Sequence, residues 1–531
     1  MKQKIFKISA TVIISIASFT ACTKNFEAIN TPPEGATDIT ISSAYNAIIS
    51  SLPITAGEYS VMNSWLYQIT QLSMGQSGFP FNNASGVWSN YYQTLGTYRL
   101  LQDSISAATD SSKLNNVSAM LKTIMAYKTF KMTNYYGDMP YSKAGYGPLT
   151  GAGGYTASYD KQEDVYHSIL LDLQWSVNNF STDASQYSLG AYETFLQNDI
   201  ETWIKFANSL RLYIAVTMYD KDNDFAKTQI TDALNKPLLD DGDDIGLWPS
   251  KIPNLQFQWR QWSFSTNCYL RMGTTVWNLM SSSNDSTGAG IFDPRCKIYF
   301  EPDYYGAWKA NEQNPGSNAI ADGGAPYSLD RMTKGWSDKG VGCLISPVNY
   351  YFEQDENYIP ELILTAAQTH FIKAEVYNRG LGVTANVASA QVEYNAGIKA
   401  SVNMWTSIAY NSSAWAQNKP AADTATAAQL SSLISNSLIA YNTSNAAAAL
   451  KQIYAQLWLD FYRQPWDAWT LMRRTGNKTP MSSVNAQSYT NSYGSYLRFT
   501  YPDDEATYNH ANWLAETGGT DVTSSKIWIM P

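Results

Sequence analysis

Trp203-Ile204-Lys205-Phe206-Ala207-Asn208-Ser209-Leu210-Arg211-Leu212 opens the most regular stretch of the chain. Trp203, Phe206, Leu210, Ile214 and Met218 recur at three- or four-residue steps, which is the period of a helix with one buried face. Met120, Ile124, Tyr127 and Phe130 repeat the pattern, and that helix should stop before Gly137, a residue that tolerates a left-handed C′ position. Leu364, Ala367, Phe371 and Ala374 make a third stripe, ending at Asn378-Arg379-Gly380. Ala367 and Ala374 are small, so a neighbouring helix can come close. Ala446–Ala449 leads into Leu450, Ile453, Leu457 and Phe461, and Pro465 is expected to end or kink that helix.

Between these stripes lie Leu149–Asp160, Asp240–Asn267, Ser281–Asp293 and Asn311–Asp338, rich in Gly, Asn, Ser and aromatic residues. Loops beyond ~12–15 residues are usually functional or disordered. The many Trp and Tyr residues in these favour order and function. The chain has 531 residues, whereas single cores stop growing near ~250–300, so it is built of several modules or of one repeated unit. No repeat of fixed length and no long linker divides it. The pattern predicts one mostly helical domain over 41–531 with large irregular insertions.

The N-terminus reads differently. Met1-Lys2-Gln3-Lys4 precedes an apolar run from Ile5 to Phe19, interrupted by Lys7 and Ser9. A basic head, a short apolar stretch and small residues before a break mark a secretory signal over 1–21. The run is shorter than the roughly 20 residues of a membrane span. Phe19-Thr20-Ala21-Cys22 resembles a bacterial lipobox, with Phe19 where Leu is preferred. Cys22 is therefore expected to carry acyl chains, each buried methylene adding about 0.8 kcal/mol of membrane affinity. Residues 22–40, with Pro32 and Pro33 disfavouring helix, read as a lipidated tether.

Composition narrows the function. Aromatic residues make up 14% of the chain, with 37 Tyr and 17 Trp. Charged residues are 15%, well below the ~25% of an average soluble protein. The formal charge is −9 and becomes −12 without Lys2, Lys4 and Lys7 (−9 minus 3). That balance argues against nucleic acid as a partner, and against docking on anionic lipid through a basic patch. Cys268, Cys296 and Cys343 remain after the anchor. Their number is odd and their spacing fits no metal motif, so buried free thiols are expected, with one disulfide among them the alternative.

Few motifs carry chemistry. Asp220-Lys221-Asp222-Asn223-Asp224 starts like an EF-hand loop, but Phe225 and Thr231 stand where Gly and a bidentate Glu are needed. It reads as a solvated turn. Asp240-Asp241-Gly242-Asp243-Asp244 could hold Ca²⁺ through oxygen ligands or be a solvated loop; no cofactor is otherwise expected. His167, His370 and His510 are isolated, and the first two fall within predicted helices. There is no His-Glu-x-x-His, Gly-x-Ser-x-Gly or P-loop pattern. A pair of catalytic carboxylates would leave no fixed spacing, so a glycosidase is neither supported nor excluded.

The aromatic clusters say more. Phe79-Pro80-Phe81 precedes Trp88-Ser89-Asn90-Tyr91-Tyr92. Phe257-Gln258-Trp259-Arg260-Gln261-Trp262, Tyr304-Tyr305-Gly306-Ala307-Trp308 and Trp336 fall in predicted loops. Sugar rings stack on such side chains, while Asn, Gln, Arg and Asp bond their hydroxyls. Candidate ligand contacts are Phe79, Phe81, Trp88, Trp259, Trp262, Tyr304, Tyr305, Trp308 and Trp336. The same rings serve equally as core, and Trp88, Tyr92 and Leu95 fit a helical stripe.

Segments across the chain then point to one family. They are Cys22-Thr23-Lys24-Asn25-Phe26 with Ile29-Asn30-Thr31; Tyr135-Tyr136-Gly137-Asp138-Met139-Pro140-Tyr141; the Trp203–Leu212 stretch; Asp293-Pro294-Arg295; Phe371-Ile372-Lys373-Ala374-Glu375 through Gly380; Trp466-Asp467-Ala468-Trp469 with Arg473-Arg474-Thr475-Gly476; and Arg498 through Tyr501-Pro502 to Glu505, Asn509 and Asn512. Together they resemble the SusD/RagB family of outer-membrane nutrient-binding lipoproteins, closest to its second SusD-like subfamily. The resemblance implies an all-α fold of tetratricopeptide-like helix pairs carrying irregular loops. It implies a lipid anchor, display outside a Gram-negative outer membrane, and a SusC-like TonB-dependent transporter over which the protein sits as a hinged lid. Lys24 and Glu27 stand where such lipoproteins carry a denser acidic export signal. Asp138 and Arg211 fall in scaffold motifs. The resemblance implies a non-enzymatic binder of oligosaccharide; capture of peptide on the same scaffold, or a surface glycosidase, are the competing functions.

Overall fold

The computed structural model describes residues 40–73, 84–252, 255, 270–303, 305–310, 345–349, 359–413, 415, 418–481 and 493–531. The expected signal, Cys22 as the expected anchor and most of the expected tether lie outside them, as do Cys268 and Cys343. The principal helices are α1 (Ile41–Ile49), α2 (Ser85–Ala107), α3 (Asn115–Tyr136), α4 (Gln162–Asn179), α5 (Ile200–Met218), α6 (Asn223–Leu234), α7 (Ala366–Arg379), α8 (Val387–Asn411), α9 (Ala446–Asp460) and α10 (Pro465–Arg474). From α3 onward, neighbours in sequence pair as α3 with α4, α5 with α6, α7 with α8 and α9 with α10. The pairs stack through α4 on α5, α5 on α7 and α7 on α9. The result is an all-α, tetratricopeptide-like array with irregular segments inserted.

The Trp203 stripe forms α5, and its residues are buried at every predicted position. Around them Trp203, Phe195 and Phe206 make a ring cluster, with centroids 5.6–6.2 Å apart. Asp199 caps α5 by accepting from the Thr202 N–H, and Asp222 caps α6 in the same way from Phe225. The acidic turn at 220–224 is thus a helix connection. Helix α3 stops at Tyr136 with Gly137 at φ 82°. Arg211 bonds Gln229 and Asp232, tying α5 to α6. Asp138 accepts from the Gln162 N–H and pairs with Lys161 at the start of α4.

Two expectations are corrected, and a strand pair is added to the helices. One short strand pair, β1 (Met139–Pro140) with β2 (Tyr159–Asp160), interrupts the helices. A second changes the reading of Leu364, which does not start a helix. It ends strand β4 (Glu361–Leu364), which pairs antiparallel with β3 (Ile245–Leu247) inside a stretch expected to be loop. Helix α7 starts two residues later, at Ala366, because Thr365 and Gln368 form a reciprocal capping box. Phe461 lies in a tight turn, Phe461–Arg463, and Pro465 opens α10 at its first position, where its missing N–H is not needed.

Helices α7 and α8 meet closely at Gly397. A Cβ there would stand 2.6 Å from the Phe371 ring. Gly397→Val is therefore expected to destabilise the protein by about 1–3 kcal/mol in urea denaturation. Gly86→Ala, where an added Cβ meets nothing within 4 Å, is the control and should cost nothing.

Candidate ligand platform and cleft

The described ends of three aromatic-bearing segments come together. The segment 74–83 leaves from Ser73, whose hydroxyl donates to the Arg271 carbonyl at 2.6 Å. The described chain thus resumes at Leu270 and Arg271 beside Ser73. Thr275 bonds Gln71 across the same seam at 2.9 Å. Segment 311–344 leaves from Ala310 and returns at Ile345. There Ser346 N–H donates to Lys309 at 2.9 Å, and Met272 N–H donates to Ser346 at 2.8 Å. Bridges Arg271–Pro347 and Phe300–Val348 complete an irregular platform.

The platform is fixed from below. Arg295 and Asp293 are both fully buried and pair at 2.7 and 3.1 Å. Arg295 also donates to Ser401 on α8 at 2.9 Å and to Gln456 on α9 at 2.7 Å. Burial alone would lower the pKa of this guanidinium; the Asp293 charge more than offsets that and holds it above its ordinary value. Tyr299 stacks on Tyr462 with centroids 4.1 Å apart and meets Trp405 edge-on. Helix α8 and the turn after α9 are thereby joined to the platform.

The candidate aromatic residues separate. Trp88 is 6% exposed, 4.8 Å from both Tyr92 and Tyr136 and 5.8 Å from Tyr501. Trp308 is also 6% exposed and lies against Gly288, where a Cβ would stand 2.6 Å from its ring. Both rings are therefore packed in the core, the other role that the sequence left open for them. Tyr305 is 68% exposed. Its turn is held by the buried Asp303 carboxylate, which accepts from the N–H groups of Tyr305 and Ala307 at 2.8 Å each and pairs with Lys309 at 3.1 Å. Phe79, Phe81, Trp259, Trp262, Tyr304 and Trp336 lie outside the described residues. Cys296 is buried and free, and burial pushes its thiol well above the usual range.

A cleft of about 550 Å³ opens beside α8, walled by Gly242–Lys251 and the 423–424 turn. Trp248, Met404 and Ile408 supply its apolar surface and Asn403, Ser407 and Asn411 its polar surface. Trp248 was not singled out from the sequence; a Trp four residues after the acidic turn was the available signal. Each acid of that turn has a partner. Asp240 meets His370 at 3.1 Å, Asp241 pairs with Lys399, Asp243 with Lys205 at 2.9 Å, and Asp244 accepts from the Ala366 N–H at 3.1 Å. The acidic turn thus ties α5, α7 and α8 together. Asp240, Asp241 and His370 place ligand-type atoms within 4.8 Å of one another, but a cation there would compete with Lys399. Burial pushes the half-buried Asp244 carboxyl up to about 7, opposed by its bond from Ala366.

A family profile described as starch-binding and associating with the outer membrane matches residues 37–502. The chain belongs to this SusD-like family. Solved SusD-like structures share the fold along nearly the whole length. A chitin-binding protein superimposes with a TM-score of 0.71 at 19% identity, over 93% of this chain and 100% of its own. A SusD homologue from Bacteroides fragilis gives 0.66 at 18%, over 93% and 100%. A chitin-binding SusD homologue from Flavobacterium johnsoniae gives 0.65 at 18%, over 92% and 98%. No curated protein sequence matches the chain significantly. Among the described residues, no helix is long and apolar enough to cross a membrane.

Proposed function

We propose that this SusD-like chain is a non-enzymatic lipoprotein, anchored through Cys22 to the outer membrane and facing outward. It captures oligosaccharide and passes it to a SusC-like TonB-dependent transporter. The observation that carries the reading is the convergence at Ser73, Arg271, Lys309 and Ser346 of the described residues that flank three sequence segments bearing Phe79, Phe81, Trp259, Trp262 and Trp336. A platform that gathers aromatic loops on a rigid base suits capture of a flexible, hydroxyl-rich chain. Aromatic rings, with two side-chain torsions, lose little entropy on contact. The family description adds carbohydrate and the outer membrane; the lipobox and tether add the anchor.

The test is calorimetric titration of the chain lacking residues 1–22 against starch- and chitin-derived oligosaccharides and peptide mixtures. Saturable oligosaccharide binding with no product formed is expected. Tyr305→Ala should weaken it by about 1 kcal/mol, in the range of single aromatic contacts, and leave stability within ~0.5 kcal/mol. Binding of peptides alone would replace the sugar reading, and release of reducing sugar would overturn the non-enzymatic one.

A further inference from the structure

The cleft beside α8 has the makings of a binding site in its own right. Asn403, Ser407 and Asn411 follow at four-residue steps, so they share one face of the helix. Asn403 accepts from the Ala425 N–H at 3.2 Å through its carbonyl oxygen, which leaves its amide NH₂ without a protein partner among the described residues. Asn411 donates to Ser407 at 2.9 Å and keeps its carbonyl oxygen. Asp244 takes the Ala366 N–H on one carboxylate oxygen and keeps the other. Helix α8 thus brings a donor and an acceptor to the cleft, and the Gly242–Lys251 segment adds the Asp244 acceptor and the indole of Trp248. Trp248 is held by its own N–H to the Asp244 carbonyl at 3.3 Å.

We propose that this cleft is a second carbohydrate subsite, separate from the aromatic platform, that takes a short neutral oligosaccharide. Its volume falls within the ~300–1,000 Å³ of ordinary ligand pockets. Planar amide and carboxylate groups bond adjacent hydroxyls in pairs, and Trp248 with Met404 offers the apolar surface on which a sugar face rests. Neutral ligands follow from the charges: Asp241 is paired with Lys399, and Lys251 lies over the Trp248 ring, 5.3 Å from its centroid. With Asp244 and Asp423 also on the lining, three carboxylates face two ammonium groups, a mixed set with no dense field of one sign. The proposal rests on the capture function above for the class of its ligand and on the cleft alone for its place.

Methionine-methyl NMR of the full chain tests it, because Met404 lines the cleft and its resonance can be assigned from Met404→Leu. Maltotriose and triacetylchitotriose are the probes. At least one should shift the Met404 methyl saturably. Asn403→Ala and Trp248→Ala should each weaken that response about tenfold, and Tyr305→Ala should leave it unchanged. If other methyls respond while Met404 does not, the subsite is overturned and the capture function stands. If neither sugar moves any resonance and calorimetry shows no sugar heat, both fall. Should Trp248→Ala unfold, Asn403→Ala and the wild-type Met404 shift still decide between these outcomes.

Discussion

Glu375→Ala is expected to destabilise the protein by about 3–5 kcal/mol, the range for breaking a buried ion pair from one side. Glu375 is fully buried on α7. It receives Arg474 of α10 on both oxygens at 2.7 and 3.0 Å, Arg379 at 2.8 Å and the Tyr454 hydroxyl of α9 at 2.9 Å. One carboxylate therefore holds three helices. Arg379 can turn out toward Asp220, its second partner. Arg474 has no such exit: its side chain is 3% exposed, and without Glu375 its charge stays in the core unpaired. The cost comes from that stranded charge rather than from the pair's net attraction, so Glu375→Met with Arg474→Met should recover most of the loss. Urea denaturation of Glu375→Ala and of the double variant checks this. A double variant as unstable as Glu375→Ala would show that packing, not charge, holds this junction.

The same residue sets an acid dependence. Burial alone would push the Glu375 carboxyl up; Arg474 and Arg379 outweigh it and lower its pKa to about 2. The unfolded value is about 4.3. The folded state thus binds fewer protons between these values. Its stabilising contribution is complete above about 4.3 and is lost as pH falls toward about 2.

What could be read in advance depended on how local the cause was. Helix α5 was legible because Trp203, Phe206, Leu210, Ile214 and Met218 repeat at its own period, and α3 and α7 ended at Gly137 and Gly380 as expected. Strand β4 was not legible. Leu364 falls in phase with the α7 stripe, and four buried residues show no alternation. The Thr365–Gln368 box was present in the sequence and is what places the boundary. Ring exposure was the least legible property. Trp88 is buried by Tyr136 and Tyr501, and Trp308 by Gly288, none of them in the same helix or turn. Residue type marks a ring as useful; only distant partners decide whether it packs or binds. For the same reason the junction of Glu375 with Arg474, 99 residues apart, left no trace in the local pattern.

Asp293→Ala should strike the platform itself. Asp293 and Arg295 belong to one short segment, yet Arg295 reaches Ser401 on α8 and Gln456 on α9. Removing Asp293 leaves a fully buried guanidinium with neutral partners only in its immediate hydrogen-bonding shell, a loss of about 3–5 kcal/mol. Ser401→Ala removes one neutral acceptor and should cost about 1–3 kcal/mol. The location of the damage is the sharper prediction. The pair lies between the helical array and the bridges at Phe300–Val348, so residues 295–303 and 345–349 should lose amide-exchange protection first, while α5 and α6 keep theirs. Units of a fold can open separately in this way. Sugar affinity should then fall at least about tenfold, or ~1.4 kcal/mol, at temperatures where the helices remain folded, because the loops that carry the aromatic residues would have lost their common base. Uniform loss of protection across α5, α6 and the platform would instead make the pair a support of the whole array, and the coupling of platform rigidity to capture would fail.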